Sequence, residues 1–439
     1  MAAIGSKRKR FLGDGNDSME VTSLIRSLVH LPLGASGAKV HPSPGGFNSS
    51  RLALQSDPSG ERCVAFVASG GGAWRHEVPF AGGVDVAAGK EAMLKPTTVT
   101  DGVTARLDAV SHRHEIQSLA LHDPASADPS RSRSDDRVRL ASVDASGRCL
   151  VTTIARDSAS SSALYDLRPL ELAGAGGDVH GWAGASFDPD APDTAAVARM
   201  QAKSIDVFDG ETRVRTMHTP LHPRAIAYVT GSNPTGDGVA LSSRAPLIAV
   251  AEGNQLSLWD ARQAERGGCA RRVTLCNRGQ PLYALATGVS QGQLGGGAVK
   301  LPNMTGGEPL VLTAGAERGV HVLDADRWTV VKRWPSAIKF EITMAALSSA
   351  SPDHCYLAGL DNELLCGCWS RGSMAGGFAF RGDSRWLGMA IAKGFRGAGA
   401  GGGAGAGPGS GGGDGDVVAG WCESGHLFAA RVARTPHEP

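Results

Sequence analysis

One short layout recurs seven times along this chain, and that recurrence limits the available folds more than any other feature. Its clearest copy is LIAVAEGNQLSLWDARQ, Leu247 to Gln263, in which two apolar runs of alternating pattern flank a polar turn with glycine. The same layout reads in RLASVDASGRCLVTTI (Arg139 to Ile154), TAAVARMQAKSIDVFD (Thr194 to Asp209) and LVLTAGAERGVHVLD (Leu310 to Asp324). It returns in CYLAGLDNELLCGCWS (Cys355 to Ser370), in VVAGWCESGHLFAARV (Val417 to Val432) and, more weakly, in RCVAFVASGGGAWRHEV (Arg62 to Val78). Period-two alternation around a short turn is the pattern of a β-hairpin. Several hairpins follow another alternating run that ends in a small-residue or Pro-Asp turn, such as HRHEIQSLALHDP, GWAGASFDPD and ITMAALSSASPD. Several also precede a fourth run, such as TRVRTMHT, ARRVTLC and TVVKRWP. Four antiparallel strands per unit, seven times over, predict a closed radial array of sheets.

The stretches HRHEIQSLALHD, FDPD, SPDHCYLAGLDNELLCGCW and LWDAR resemble WD40 repeats, which build β-propellers. The resemblance implies an all-β chain: a seven-bladed β-propeller of four-stranded antiparallel blades. The copies depart from the family pattern. Only Trp259-Asp260 is a true Trp-Asp pair; other units end in Phe208-Asp209, Leu323-Asp324 or Trp369-Ser370, and Ser111-His112 is the one Gly-His equivalent. The family's His–Ser–Asp–Trp hydrogen-bond network is therefore expected to be incomplete in most blades, which leaves packing to strand burial.

Closure of the ring sets a further expectation. Few residues follow the last hairpin, so its blade lacks a fourth strand of its own and would expose an open edge. The segment VTSLIRSLVHLPL, Val21 to Leu33, can fill that place from the N-terminus, although Leu24, Ile25 and Leu28 also fit a helical period. The organisation read from the sequence is a basic, disordered tail over residues 1–19, a single propeller over 20–434 and a short tail over 435–439. Gly-, Pro- and Ser-rich insertions are expected near 122–137, 230–245, 288–308 and 396–416. The run Lys7, Arg8, Lys9, Arg10 reads either as a nuclear import signal or as a solvated basic tail. The Arg-Ser alternation in 122–137 reads either as a solvated loop or as a phosphate acceptor.

With 44 basic and 43 acidic side chains, the chain lacks the basic excess of a dedicated nucleic-acid or membrane-surface binder. No stretch is long and apolar enough to span a bilayer. The eight cysteines are dispersed, and the close pair Cys366 and Cys368 has no C-x-x-C partner or histidine cluster, so buried reduced thiols in a nuclear or cytosolic protein are expected. The tract from Gly397 to Asp416 is glycine-rich but has no Gly-Lys-Ser/Thr after it, so it is not a phosphate-binding loop. His112 and His114 lie close in sequence but lack a third ligand at suggestive spacing; His112 is expected to order a turn of its own blade. Asp188 and Asp190 flank a proline where a turn after a blade's first strand favours Asx bonding.

No catalytic motif and no metal or cofactor site follows from these patterns, and a non-catalytic scaffold for protein–protein interaction is the leading expectation, as part of a larger complex. Trp259, Asp260 and Arg262 also resemble the W-D-x-R motif of propellers that dock on the adaptor of cullin-4 ubiquitin ligases. That resemblance implies adaptor contacts by Asp260 and Arg262 over buried Leu256 and Leu258, in a substrate receptor. Gly253 stands where that motif favours an acidic residue, with Glu252 beside it. The alternative is local: Trp259 packing between blades and Arg262 pairing nearby.

Overall fold

In the computed structural model, residues 18–31, 42–43, 46, 48–57, 59–81, 83–86, 93–124, 137–169, 180–229, 247–263, 265–289, 309–396 and 414–435 are described. Most of the expected tails and of the four expected insertions lies outside them, as does the basic run from Lys7 to Arg10; Ser18, Met19 and Thr435, assigned to the tails, instead belong to strands, because the two chain ends pair with each other.

The apolar runs form strands because each blade is packed between two neighbours, so its inner strands are covered on both faces: Pro309–Gly315 and His354–Gly359 are buried at every position. The chain opens with β1 (Ser18–Leu28) and enters blade 1 through β2 (Leu52–Gln55), β3 (Arg62–Ser69) and β4 (Gly72–Pro79). An excursion carrying β5 (Val84–Val86) and β6 (Leu94–Pro96) intervenes before β7 (Val103–Arg106) completes that blade. Blade 2 holds β8 (Ile116–His122), β9 (Arg137–Asp144), β10 (Cys149–Ala155) and β11 (Ser161–Leu167). Blade 3 holds β12 (Ala183–Phe187), β13 (Thr194–Arg199), β14 (Ser204–Asp209) and β15 (Thr212–His218). Blade 4 holds β16 (Pro223–Val229), β17 (Leu247–Glu252), β18 (Gln255–Asp260) and β19 (Cys269–Thr274). Blade 5 holds β20 (Leu282–Val289), β21 (Pro309–Gly315), β22 (Val320–Asp324) and β23 (Thr329–Trp334). Blade 6 holds β24 (Ile342–Leu347), β25 (His354–Gly359), β26 (Glu363–Cys368) and β27 (Ser373–Arg381). Blade 7 begins with β28 (Trp386–Arg396), β29 (Asp414–Cys422) and β30 (His426–Thr435).

The fourth strand of blade 7 is β1, which pairs antiparallel with β30 from Ser18↔Thr435 to Leu28↔His426. Both chain ends therefore meet in one sheet, as closure requires. Leu24 and Ile25 point to opposite faces of β1 and are both fully buried, one in the cluster shared with blade 6 and one in the cluster shared with blade 1. Burial on both faces explains why the segment lacks a clean two-residue alternation in sequence.

The excursion was not foreseen. It leaves blade 1, crosses the outer edge of blade 7 and ends on blade 6, where β6 pairs with β27 through Phe380↔Leu94. On the return to blade 1, Val99 bridges Arg26 of β1, and Thr100 N donates to the Arg26 carbonyl at 2.8 Å. Blade 6 thereby becomes a six-stranded sheet, β24-β25-β26-β27-β6-β5. The strap covers part of an edge that would otherwise present unpaired backbone groups. It also fastens the closing strand from outside.

Each blade's first strand lines the axis, so connections from first to second strand and from third to fourth emerge on one face. Connections from second to third strand, and the crossings between blades, emerge on the other. The flanks of all four expected insertions are first and second strands: β8/β9, β16/β17, β20/β21 and β28/β29. They share a face with the turn after β18.

Candidate functional site

That turn carries the W-D-x-R tetrapeptide. The Trp259 indole is buried between blades and its Nε1 donates to Ser257 Oγ at 2.8 Å. The Arg272 guanidinium lies over the ring, 5.8 Å from its centroid. Leu256 and Leu258 are buried beneath. Asp260 is buried as well, and its Oδ1 accepts the backbone N–H of Arg262 at 2.9 Å, an Asx-type turn that fixes the chain's exit from β18. Arg262 Nε returns to the same oxygen at 3.3 Å, while the side chain stays 62% exposed. Asp260 thus works inward, and Arg262 is presented outward.

The positions preceding the motif are occupied for structural reasons. Gly253 has a φ of +54°, and a Cβ there would meet Leu221 Cδ1 at 2.7 Å. Only glycine takes that backbone without strain. Glu252 is fully buried and turned into the blade, accepting Leu221 N at 3.1 Å and Gln255 Nε2 at 3.2 Å.

Blade 5 repeats the arrangement in a form the sequence pattern hides. Asp324 Oδ1 accepts Asp326 N at 2.8 Å and Arg327 N at 3.0 Å, and Arg327 Nη1 reaches Asp324 Oδ2 at 3.0 Å with its side chain 57% exposed. The aspartate-to-arginine spacing is one residue longer than in blade 4, so a search for W-D-x-R passes it over. Two adjacent blades therefore offer guanidinium groups, each steered by a buried carboxylate, on the face that carries the insertion flanks.

The opposite face holds the histidine candidates. His112 Nδ1 lies 3.2 Å from Asp144 Oδ2 and its Nε2 lies 2.8 Å from Ser142 Oγ, all buried. This is a turn-ordering histidine bound to its own blade. Burial alone would raise the Asp144 carboxyl, but hydrogen bonds from His112 and Ser146 outweigh it and hold the group below the usual carboxylate range. His114 is not brought to the same partners: its ring lies tilted against that of His180, with centroids 4.4 Å apart. Asp188 accepts Asp190 N at 3.0 Å in the turn after β12, and burial raises its carboxyl. All eight cysteines are buried free thiols; burial pushes Cys366 well above the ordinary thiol range and Cys63 up to about 12.

Among the described residues, one set of Cys, His and acidic side chains converges with ligand-like spacing. The donor atoms of Cys276, Glu317 and His321 all lie within 4.8 Å of one another. Burial pushes the Cys276 thiol up to about 12, with Glu317 adding to the rise, and burial together with Arg333 lowers the His321 imidazole. Sequence reading missed the set because its members come from a crossing segment, a turn and a strand.

No family model matches the chain, and no curated protein does. Among solved structures it is similar to a chain in the crystal structure of the mitotic checkpoint complex, with a TM-score of 0.50 and 13% identity over 98% of this chain and 96% of that one. Since 1090 solved chains match, the likeness defines an architecture and no particular partner. The chain is a seven-bladed β-propeller.

Proposed function

We propose that this chain is a non-catalytic scaffold for protein partners, working as a subunit of a larger nuclear or cytosolic assembly. The observation that carries the reading is the concentration of long connections and outward-held guanidinium groups, Arg262 and Arg327, on one face of a closed ring. Loops on a rigid scaffold are the usual place for partner contacts. A chain of similar fold occurs in a multiprotein assembly, the mitotic checkpoint complex. The test is affinity purification of the full chain followed by sizing. Partners retained in fixed stoichiometry support the reading; a monomer free of stoichiometric partners refutes it. The basic run Lys7 to Arg10 is proposed as the import signal, and alanine replacement of all four should abolish nuclear accumulation of a fluorescent fusion.

A second reading is favoured by one specific observation, the exposed guanidinium of Arg262 placed by buried Asp260. In this reading the chain is a substrate receptor that docks on a cullin-4 adaptor. Pull-down of wild type and Arg262→Ala separates the two: selective loss of the adaptor supports the receptor, and retention of every partner removes it.

A further inference from the structure

We propose that Cys276 Sγ, Glu317 Oε2 and His321 Nε2 form a Zn2+ site that ties the crossing between blades 4 and 5 to the central hairpin of blade 5. Cys276 follows β19 in that crossing, where Asn254 holds the backbone: Cys276 N donates to the Asn254 carbonyl at 3.2 Å, and Asn254 Nδ2 donates to the Cys276 carbonyl at 2.9 Å. Glu317 lies in the turn between β21 and β22, and His321 lies on β22 opposite Thr313. Three separate backbone segments thus deliver three donor atoms of different chemistry to one point.

The distances suit a shared ion. Cys276 Sγ is 3.7 Å from His321 Nε2, and Glu317 Oε2 is 3.4 Å from the same nitrogen. Bonds of about 2.3 Å to thiolate and about 2.0–2.1 Å to imidazole or carboxylate, at tetrahedral angles, put neighbouring ligand atoms about 3.3–3.6 Å apart. The hydrogen bonding points the same way. Glu317 Oε1 is taken by the Arg333 guanidinium, whereas Glu317 Oε2 is buried and accepts no hydrogen bond of ordinary geometry. Arg333 therefore orients the carboxylate from outside, as outer-shell partners of metal ligands do. At the matching place in blade 2, His112 is satisfied at both nitrogens by Asp144 and Ser142. Blade 5 has instead a sulfur, a nitrogen and an oxygen facing one another. Thiolate and imidazole donors select Zn2+ over Mg2+ or Ca2+, and three protein ligands leave a fourth position for water. The competing account is a thiol–imidazole contact beside a Glu317–Arg333 ion pair, with no metal.

The experiment uses the full chain, stripped with chelator and titrated with Co2+ and then Zn2+. One equivalent of Co2+ should bind with tetrahedral absorption and a thiolate-to-cobalt charge-transfer band, both abolished when Zn2+ displaces it. Cys276→Ser should lose the band, while Cys63→Ser, altered in blade 1, should keep it. His321→Gln should weaken Zn2+ by more than the about 10–100-fold that loss of an outer-shell partner costs. A folded wild type that takes up no stoichiometric Co2+, or a band that persists in Cys276→Ser, overturns the proposal. Should Cys276→Ser fail to fold, wild type alone decides by peptide mapping of thiol alkylation in mild denaturant. Protection of Cys276 by Zn2+ supports the site, and equal labelling with and without Zn2+ overturns it.

Discussion

Acidification should open this ring at its closing seam, and His76 is the reason. His76 is fully buried on β4 of blade 1, with Nε2 3.0 Å from Ser27 Oγ on the closing strand β1 and Nδ1 2.8 Å from Thr104 Oγ1 on β7. Both nitrogens face uncharged hydroxyl groups, so neither hydrogen-bond partner offsets the cost of burying an imidazolium. Burial, with a lesser contribution from His30, lowers its pKa from 6.5 to about 4. The unfolded chain therefore binds a proton that the folded chain refuses between those values. Stability is complete above the unfolded value, falls as pH drops through 6.5, and stops falling below about 4. The total loss from this one group is about 3 kcal/mol, of which about 2 kcal/mol is gone at about pH 5. Urea midpoints of wild type and His76→Gln, measured at about pH 7.5 and about pH 5, isolate the term. The imidazoles of His321 and His426 are lowered too, but they titrate in both proteins and cancel in the difference. Wild type should lose about 2 kcal/mol more than the variant on acidification, with amide exchange accelerating first along β1. Equal losses in the two proteins would refute the reasoning.

Three further outcomes follow from buried groups. Asp416 of β29 gathers Ser348 Oγ at 2.5 Å, Tyr356 Oη at 2.9 Å, Ser349 N at 3.2 Å and Ser349 Oγ, so it joins blade 7 to blade 6. Asp416→Ala strands those donors in the interior and should cost about 3–5 kcal/mol in chemical denaturation. Gly253→Ala combines a left-handed backbone with a Cβ 2.7 Å from Leu221 Cδ1, and should lower the melting temperature by the equivalent of about 1–3 kcal/mol. Leu24→Ala empties a fully buried site on the closing strand and should cost about 2–5 kcal/mol, with faster amide exchange confined at first to β1, β30 and the strap.

The parts of this fold that read from sequence are those whose physics is local. A hairpin is a short-range object, two extended apolar runs about a glycine turn, so LIAVAEGNQLSLWD announces β17 and β18 from the turn between them, although both strands are buried on both faces. The segment now seen as β1 gave a mixed signal because Leu24 and Ile25 are buried on opposite faces, and a doubly buried strand erases its own period. The strap was illegible for another reason: β5 and β6 span three residues each, too few to establish any period. Asp260 and Arg262 could be found because they lie in one turn. Arg327 was hidden by a single extra residue, and Cys276, Glu317 and His321 by belonging to two blades. For those three, only the crossing geometry brings the side chains together.

The polar contacts at the seams between blades have a common physical logic. Every crossing between blades brings backbone and side-chain polar groups close to the turn between the second and third strands, where water is partly excluded. An unsatisfied group there costs about 1–3 kcal/mol, so some polar partner is required, but its identity is open. Blade 2 answers with His112, Ser142 and Asp144. Blade 4 uses Glu252, which receives the Leu221 amide and the Gln255 side chain. Blade 7 uses Asp383, which sits 2.6 Å from Arg26 Nη2 and 2.9 Å from His426 Nδ1 and accepts Ser424 Oγ at 2.5 Å. Because apolar strands carry the blade-to-blade packing, the seams satisfy their polar groups in different ways, and one seam holds a thiol, an imidazole and a carboxylate. A polar seam that only needs to be satisfied can acquire an ion as readily as another hydroxyl group. The opposite face, with its insertion flanks and outward arginines, takes no part in these seams, so substitutions at Arg262 or Arg327 leave the seams' hydrogen bonds intact.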